Sequence, residues 1–132
     1  MMRFLALLIS FILIFPITAV FADSQTNELS ECIVITHCVL DTWEVSDVNK
    51  AFKKAAKLIG ETPRTKIIEN TNSYLHAEAT TRWMHYVDDL ELKAIPSKSS
   101  IQVRSESRVG IGDNGVNKRR VDDLAYRMTT NK

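Results

Sequence analysis

The spacing of the apolar residues changes twice along this chain, and these changes limit the folds that it can adopt. Helical spacing comes first, at Val45, Val48, Phe52, Ala55, Ala56 and Ile59. Between residues 66 and 109 apolar and polar residues tend to alternate, which is typical of strands that bury one face. Helical spacing returns near the C-terminus. We therefore predict an α+β fold in which two helices pack on one face of an antiparallel sheet of four to five strands.

Turn and capping residues indicate where these elements begin and end. Ser46 or Asp47 can cap the first helix, Gly60 ends it and Pro63 prevents its continuation. We predict strands over residues 66–70, 74–80, 82–93 and 100–109, with turns at residues 70–73 and 96–99. The last helix spans about residues 118–128. A further strand at residues 33–36 would precede the first helix.

The N-terminus has the pattern of a secretory signal peptide. Arg3 supplies a positive charge, and residues 4–15 are apolar apart from Ser10. This run is shorter than the roughly 20 residues that a spanning helix needs. We predict a signal peptide at residues 1–22, cleaved after Ala22 and providing the only membrane contact, a flexible leader at residues 23–31 and one domain at residues 32–132. The protein would then be exported to a periplasm, a lumen or the extracellular space.

Charge and cysteine content narrow the classes of ligand. The chain has 17 basic and 16 acidic residues, and this balance argues against nucleic acid as a partner. A disulfide between Cys32 and Cys38 is the leading interpretation, because disulfides persist in exported proteins. A metal site that includes His37, or a cysteine nucleophile, are the alternatives. Metal binding needs a fuller ligand set than His37 and the cysteines supply, so we expect no metal and no cofactor.

Two adjacent carboxylates, Asp88 and Asp89, lie in the third predicted strand. Alternation places Asp88 on the apolar face, together with Met84, Tyr86, Leu90 and Leu92. A buried carboxylate must be paired or hydrogen-bonded. Candidate partners are on the neighbouring strand, namely Ser105 and Ser107 if Asp88 faces inward and Arg104 and Arg108 if a bulge turns it outward. A structural ladder of ion pairs and a general acid–base pair are both open.

A turn rich in glycine joins the fourth strand to the last helix. Gly110, Gly112 and Gly115 permit positive φ, and Asn117 is a good N-cap. Lys118, Arg119 and Arg120 follow in the first turn, where the helix dipole favours an anion instead. Either an anion binds here, or these side chains extend into water and Asp113, Asp122 and Asp123 neutralise them.

The histidines and tryptophans carry a weaker signal. His76 and His85 lie on predicted strands and face away from the apolar stripe, so a surface position is the simplest interpretation. Cys38, His85 and Asp88 could be drawn as a triad, but residue order alone does not support one. Trp83 would share the outward face with His85, which makes it a candidate contact residue.

Four motifs carry a resemblance to a known family. They are Cys32 and Cys38 followed by Val39, Tyr86-Val87-Asp88-Asp89, Arg104-Ser105-x-Ser107-Arg108-Val109-Gly110, and Asp113-x-Gly115-Val116-Asn117-x-x-Arg120. With these motifs, residues 32–124 resemble the bacterial and plastid family called domain of unknown function 1499. The loop between the cysteines departs from the family pattern, because it lacks the usual prolines and asparagine. The resemblance implies a small exported α+β domain and supplies no substrate.

These observations favour a non-enzymatic binding module for an anionic small molecule or an acidic partner. The predicted ligand-binding residues are Arg104, Ser105, Ser107, Arg108, Asp113, Asn117 and Arg120, with Asp88 and Asp89 orienting the arginines. One alternative is a small hydrolase that uses Asp88 or Asp89 as a base. Another is an assembly factor that contacts a membrane-associated protein through Trp83 and the outer face of the sheet.

Overall fold

A computed structural model describes residues 27–130 of the chain. The predicted signal peptide and residues 23–26 of the predicted leader lie outside these described residues. Five strands and two helices follow one another in the order β1 (Cys38–Glu44), α1 (Val48–Gly60), β2 (Thr65–Asn70), β3 (Tyr74–Thr80), β4 (Val87–Ile95), β5 (Ser100–Ser107) and α2 (Val116–Thr129). A short 3₁₀ helix at Pro96–Lys98 joins β4 to β5. The predicted α+β fold is confirmed.

The strands form one antiparallel sheet in the order β1-β5-β4-β3-β2. Residues that lie opposite each other on neighbouring strands point to the same face. Leu75, Leu92 and Val103 lie on such aligned positions and are fully buried under the helices. We call this side the inner face. The residues between them, such as Glu91 and Arg104, point to the outer face.

Both helices pack on the inner face, as predicted. Phe52 and Ile59 of α1 and Val121 and Leu124 of α2 join the buried side chains of β3, β4 and β5 in one apolar core. Asp47 caps α1 by accepting a hydrogen bond from the Lys50 backbone N–H at 2.9 Å, and Gly60 is the last residue of the helix. Within residues 27–130, the helices lack the length and apolar character needed to cross a bilayer.

The first described residues run along the sheet before β1 begins. Glu28 forms an ion pair with Lys98, which lies in the connection between β4 and β5. The Leu29 backbone N–H then donates to Gln102 Oε1 on the outer face at 2.8 Å. The chain reaches the Cys32–Cys38 disulfide at the opposite end of β5, where Cys38 lies opposite Glu106. The two ends of this segment therefore lie at opposite ends of the sheet.

The first strand lies later in the chain than the sequence predicts. Residues 33–36 form an exposed turn instead of a strand, and β1 begins only at Cys38. The disulfide closes a loop of six residue steps, with the two Cα atoms 5.6 Å apart, and an extended segment cannot return over so short a distance. The apolar character of Ile33 and Ile35 therefore marks an exposed loop, and the prediction of a strand there is wrong.

The third predicted strand also begins too early. The strand starts at Val87, and residues 81–86 form the connection between β3 and β4. His85 has a positive φ of 54°, so an extended strand cannot run through His85 into Val87. Met84 and Tyr86 are consequently exposed, although alternation predicts both of them on the apolar face. Leu90 and Leu92 are buried, as predicted.

Candidate functional site

Asp88 and Arg120 form an ion pair between the sheet and α2. Asp88 lies on the inner face and only 1% of its surface is exposed. The Arg120 Nη2 group donates to Asp88 Oδ2 at 2.8 Å. Asp88 Oδ1 is buried and accepts no hydrogen bond from any described residue. The main partner of Asp88 is therefore a helix arginine, whereas the sequence places its partners on the neighbouring strand.

Asn117 links this ion pair to β5. The Arg120 Nη1 group donates to Ser105 Oγ at 2.9 Å and to Asn117 Oδ1 at 2.6 Å. The Asn117 side-chain amide in turn donates to Ser107 Oγ at 2.9 Å and to the His37 carbonyl at 3.0 Å. These bonds satisfy a fully buried asparagine, which would otherwise be costly to bury. We call Asp88, Ser105, Ser107, Asn117 and Arg120 the inner network.

Asp113 occupies the position at the start of α2 where the helix dipole favours an anion. Its carboxylate accepts the Gly115 backbone N–H at 2.8 Å and the Asn117 backbone N–H at 2.7 Å. Burial alone would raise the pKa of Asp113, but the backbone hydrogen bonds from Asn117 and Gly115 outweigh it and lower the pKa below its ordinary value. The anion at this helix end is thus supplied by the chain itself.

Asn117 therefore does not cap α2, contrary to the prediction. The capping position belongs to Gly115, whose φ of 75° lies in the left-handed region that favours glycine. Val116 begins the helix, and Asn117 lies inside its first turn with its side chain pointing at β5. The prediction is wrong because the carboxylate of Asp113, two residues before Gly115, performs the capping that we expected from the Asn117 side chain.

Arg108 and Asp89 lie on the outer face, away from the inner network. Arg108 contacts Asp89 through two bonds of 2.9 and 2.7 Å, and it donates a third bond to Glu78 Oε1 at 2.7 Å. His76 Nε2 lies 2.7 Å from Asp89 Oδ1. The hydrogen bonds from Arg108 lower the pKa of Asp89, although partial burial acts in the opposite direction. Asp89 is thus held as an anion, which makes it a weak base.

Arg104 continues this outer face toward the centre of the sheet. Its guanidinium group donates to Glu91 Oε2 at 3.0 Å and also contacts Glu106. Tyr74 donates its hydroxyl proton to Glu91 Oε1 at 2.7 Å. Burial raises the pKa of the Tyr74 hydroxyl most, and the hydrogen bond to Glu91 raises it further. We call these two groups of side chains, His76, Glu78, Asp89 and Arg108 on one side and Glu91, Arg104 and Glu106 on the other, the outer ladder.

The sheet separates the residues that the sequence groups into one ligand site. Arg120, Ser105, Ser107, Asn117 and Asp88 lie on the inner face, whereas Arg104, Arg108 and Asp89 lie on the outer face. Asp89 does contact Arg108, but the residue that Asp88 contacts is Arg120. The sequence also misses Glu78, Glu91 and Glu106, because their pairing with the arginines depends on a strand register that it does not reveal.

Two cavities within residues 27–130 lie away from both the inner network and the outer ladder. A groove of about 570 Å³ runs between the end of β1, α1 and the end of α2, where Trp43, Ala51 and Met128 line it. A smaller cavity of about 380 Å³ lies beside it, between Glu44 and Ser99. None of the predicted site residues lines either cavity. Asp88 also has too little exposed surface for a substrate to reach it.

One end of the sheet carries most of the exposed apolar side chains. The disulfide loop before β1, the connection between β3 and β4, and the glycine turn after β5 all lie at this end. Ten large apolar side chains are exposed within residues 27–130, and eight of them belong to these three loops. We call these eight residues the apolar end: Ile33, Val34, Ile35, Trp83, Met84, Tyr86, Val109 and Ile111.

Hydrogen bonds join two of the loops in the apolar end. Thr36 donates its hydroxyl proton to the Ile111 carbonyl, and the Asp113 backbone N–H donates to the Thr36 carbonyl at 3.2 Å. The His37 carbonyl accepts both the Ser107 backbone N–H and the Asn117 side chain. The disulfide loop is therefore bonded both to the glycine turn and, through Ser107 and Asn117, to the inner network. Of these exposed residues, Trp83 is the one that the sequence proposes as a contact residue. The sequence instead predicts residues 33–36 in a strand and places Met84 and Tyr86 on a buried face.

The disulfide between Cys32 and Cys38, with an S–S distance of 2.04 Å, confirms the leading interpretation of these cysteines. It is compatible with an exported protein, because disulfides persist in oxidising compartments. A comparison with curated proteins finds no match. The family model described as protein of unknown function (DUF1499) matches residues 22–128, a range that includes both networks and the apolar end. The chain therefore belongs to the DUF1499 family.

Proposed function

We propose that the protein is a non-enzymatic binding module that makes its contacts through the apolar end. The observation that carries this proposal is the concentration of eight exposed apolar side chains in three adjacent loops. Exposed apolar patches on a soluble domain mark contact surfaces, because leaving them in water is unfavourable. Trp83 is 80% exposed and Ile33 is 92% exposed, so the side chains project almost fully from the loops.

The two charged networks support a structural role more than a binding role. A ligand anion at Arg104, Arg108 or Arg120 would have to displace the carboxylates that each arginine already contacts. The start of α2 is likewise occupied by Asp113. An anionic ligand at these arginines remains the hypothesis that the sequence suggests, and the geometry supports it less well than the apolar end.

The hydrolase hypothesis receives still less support. Asp88 is buried and bound to Arg120, so it cannot meet a substrate without a large rearrangement. Asp89 is exposed enough to react, but Arg108 and His76 hold it as an anion with a lowered pKa. A general base works best when its pKa lies near the working pH. Neither carboxylate meets both conditions.

We place this activity in an exported compartment. The pattern of residues 1–22 supports a cleaved signal peptide, and the disulfide is stable in such a compartment. The N-terminal sequence of the protein purified from cells tests this part of the proposal. A first residue at or near Asp23 would agree with it, and a retained N-terminus would contradict it.

Photo-crosslinking in living cells tests the contact surface. We suggest placing a photoreactive phenylalanine analogue at position 83 and, as a matched control, at position 126. Tyr126 is also an exposed aromatic residue, at 68%, but it lies on α2 outside the apolar end. The proposal predicts adducts of protein or lipid from position 83 and far fewer from position 126. Equal yields from the two positions, or none, would contradict it.

A further inference from the structure

The arginines divide into two groups according to their partners. Seven arginines lie within residues 27–130, and Arg104, Arg108, Arg120 and Arg127 each contact a carboxylate. Arg64, Arg82 and Arg119 contact none among the described residues; their partners there are the Thr80 carbonyl, the Trp83 ring and the Asn114 carbonyl. These three arginines are therefore available to an anionic partner.

All three of these arginines lie beside the apolar end. Arg64 precedes β2 and bonds to the last residue of β3, and Arg82 belongs to the connection between β3 and β4. Arg119 lies in the first turn of α2, against the glycine turn. The three loops of the apolar end contain a single carboxylate, Asp113, and the backbone of α2 already engages it. Glu31, just before the disulfide loop, is the nearest exposed acid in sequence.

The shape of the apolar end fits a fluid surface better than a folded partner. A stable protein interface buries about 800 Å² per partner in a closely packed patch. Here the apolar side chains project from loops at the ends of four neighbouring strands. The two outermost of these strands are about 14 Å apart at the usual strand spacing. A bilayer can close around such projections without a complementary shape. Tryptophan and tyrosine side chains are also enriched at the boundary between headgroups and acyl chains.

Resting on the proposed function, we infer that the apolar end docks on a bilayer surface that carries anionic lipids. Ile33, Ile35, Trp83 and Ile111 would enter the boundary between headgroups and acyl chains, to a depth of about 5–10 Å. Arg64, Arg82 and Arg119 would contact the lipid phosphates around them. The bound protein would stand with β4 and β5 directed away from the bilayer, so Lys98 would be at its distal end.

A local fluorescence measurement tests this orientation. The protein contains two tryptophans, and Trp43 lies at the far end of β1, away from the apolar end. In a Trp43→Phe variant the emission reports on Trp83 alone, whereas in a Trp83→Phe variant it reports on Trp43 alone. The probe is vesicles of phosphatidylcholine, with or without phosphatidylglycerol, in which some acyl chains are brominated to quench nearby tryptophan.

The inference predicts quenching and a blue shift of Trp83 on vesicles that contain phosphatidylglycerol, and neither effect for Trp43. Added salt should weaken the binding, because exposed charges are screened. Removing one arginine in Arg82→Ser should weaken it about fivefold. Matched removal of an exposed cation in Lys53→Ser, on the solvent side of α1, should leave it unchanged. Because the readout is local, it distinguishes docking of the apolar end from binding through another part of the chain.

Two results would overturn the inference. If Trp83 stays unquenched on both kinds of vesicle, or if Trp43 is quenched equally, the apolar end does not face the bilayer. The crosslinks from position 83 then separate the remaining cases. Protein adducts without lipid adducts would preserve the proposed function and replace the bilayer with a protein partner. Absence of any adduct would reject the proposed function as well.

Discussion

Asp88 and Arg120 show how a buried charge depends on its partner. Burying an isolated carboxylate costs free energy, and the ion pair with Arg120 offsets this cost for Asp88. The other terminal nitrogen of Arg120 donates to Ser105 and Asn117. A single guanidinium group therefore connects β4, β5 and α2. Burial of the pair costs desolvation, so its contribution is seen most clearly when one partner is removed.

Replacing Arg120 with alanine should destabilise the protein strongly. Asp88 would remain buried without its ion pair, which costs about 3–5 kcal/mol of unfolding free energy. Urea denaturation measures the loss. Arg119→Ala is the matched control, because the neighbouring arginine is exposed and contacts no carboxylate among residues 27–130; a change within about 0.5 kcal/mol is expected there. Equal effects of the two substitutions would show that the inner network does not stabilise the fold.

The ion pair between Asp89 and Arg108 should make the free energy of unfolding depend on pH in the acid range. Because Arg108 lowers the pKa of Asp89 in the folded protein, the stabilisation is present above the ordinary pKa of about 3.9 and is lost as the pH falls through the folded value. The substitution Arg108→Met removes the guanidinium group that lowers the pKa of Asp89. The difference in unfolding free energy between wild type and this variant should therefore be widest above about pH 4 and should narrow below it.

Urea denaturation at several pH values between about 6 and 2 measures this difference. His76 also contacts Asp89, so His76→Gln in the same series separates its effect from that of Arg108. A difference that stays constant across the range, or that grows in acid, would contradict the assignment of Arg108 as the main cause of the lowered pKa.

At the scale of elements, the disulfide loop and the start of α2 support each other. Backbone and side-chain groups of Ser107, Asp113 and Asn117 donate to carbonyls of Thr36 and His37. The loop thus accepts hydrogen bonds from the end of β5, from the glycine turn and from the first turn of α2. Cys38, buried where β1 begins, anchors the loop to the sheet through the disulfide.

Loss of this disulfide should loosen one end of the molecule. The bridge closes a short loop, so the double substitution Cys32→Ser with Cys38→Ser should cost roughly 2 kcal/mol of unfolding free energy. Hydrogen exchange should show faster exchange at the Ser107 and Asp113 amides. The Thr71 amide, in the turn between β2 and β3, is the internal control and should not change. Unchanged protection at Ser107 would mean that the loop holds its place without the bridge.

The sequence predicts elements best where alternation and turn residues agree. Strands β2, β3 and β5 begin and end within two residues of their predicted bounds, because clear turns flank their alternating residues. β1 lacks this signal: Cys38–Glu44 follows a more apolar segment that the disulfide holds in an exposed turn. The start of β4 is displaced because the positive φ of His85 is a tertiary property that no local pattern reveals.

For the whole molecule, the sequence does not show which distant residues meet on the same face of the sheet. Alternation correctly separates Asp88 from Asp89, and Ser105 from Arg104. It cannot show that Arg120 lies on the face of Asp88, since that contact joins residues 32 positions apart across a helix packing. Nor can it show that three distant loops meet at one end of the sheet. The DUF1499 motifs thus supply residues to the inner network, to the outer ladder and, through Tyr86 and Val109, to the apolar end.

The vesicle-bound fractions of two variants, measured side by side, decide whether the apolar end or the outer-face arginines form the contact surface. Trp83→Ser removes the largest exposed side chain of the apolar end, whereas Arg108→Ala breaks the outer ladder at the arginine that the sequence favours for anion binding. On vesicles that contain phosphatidylglycerol, Trp83→Ser should bind at least about tenfold more weakly and Arg108→Ala should bind like wild type. If instead Arg108→Ala loses binding and Trp83→Ser retains it, the outer-face arginines are the binding site and the apolar end is not.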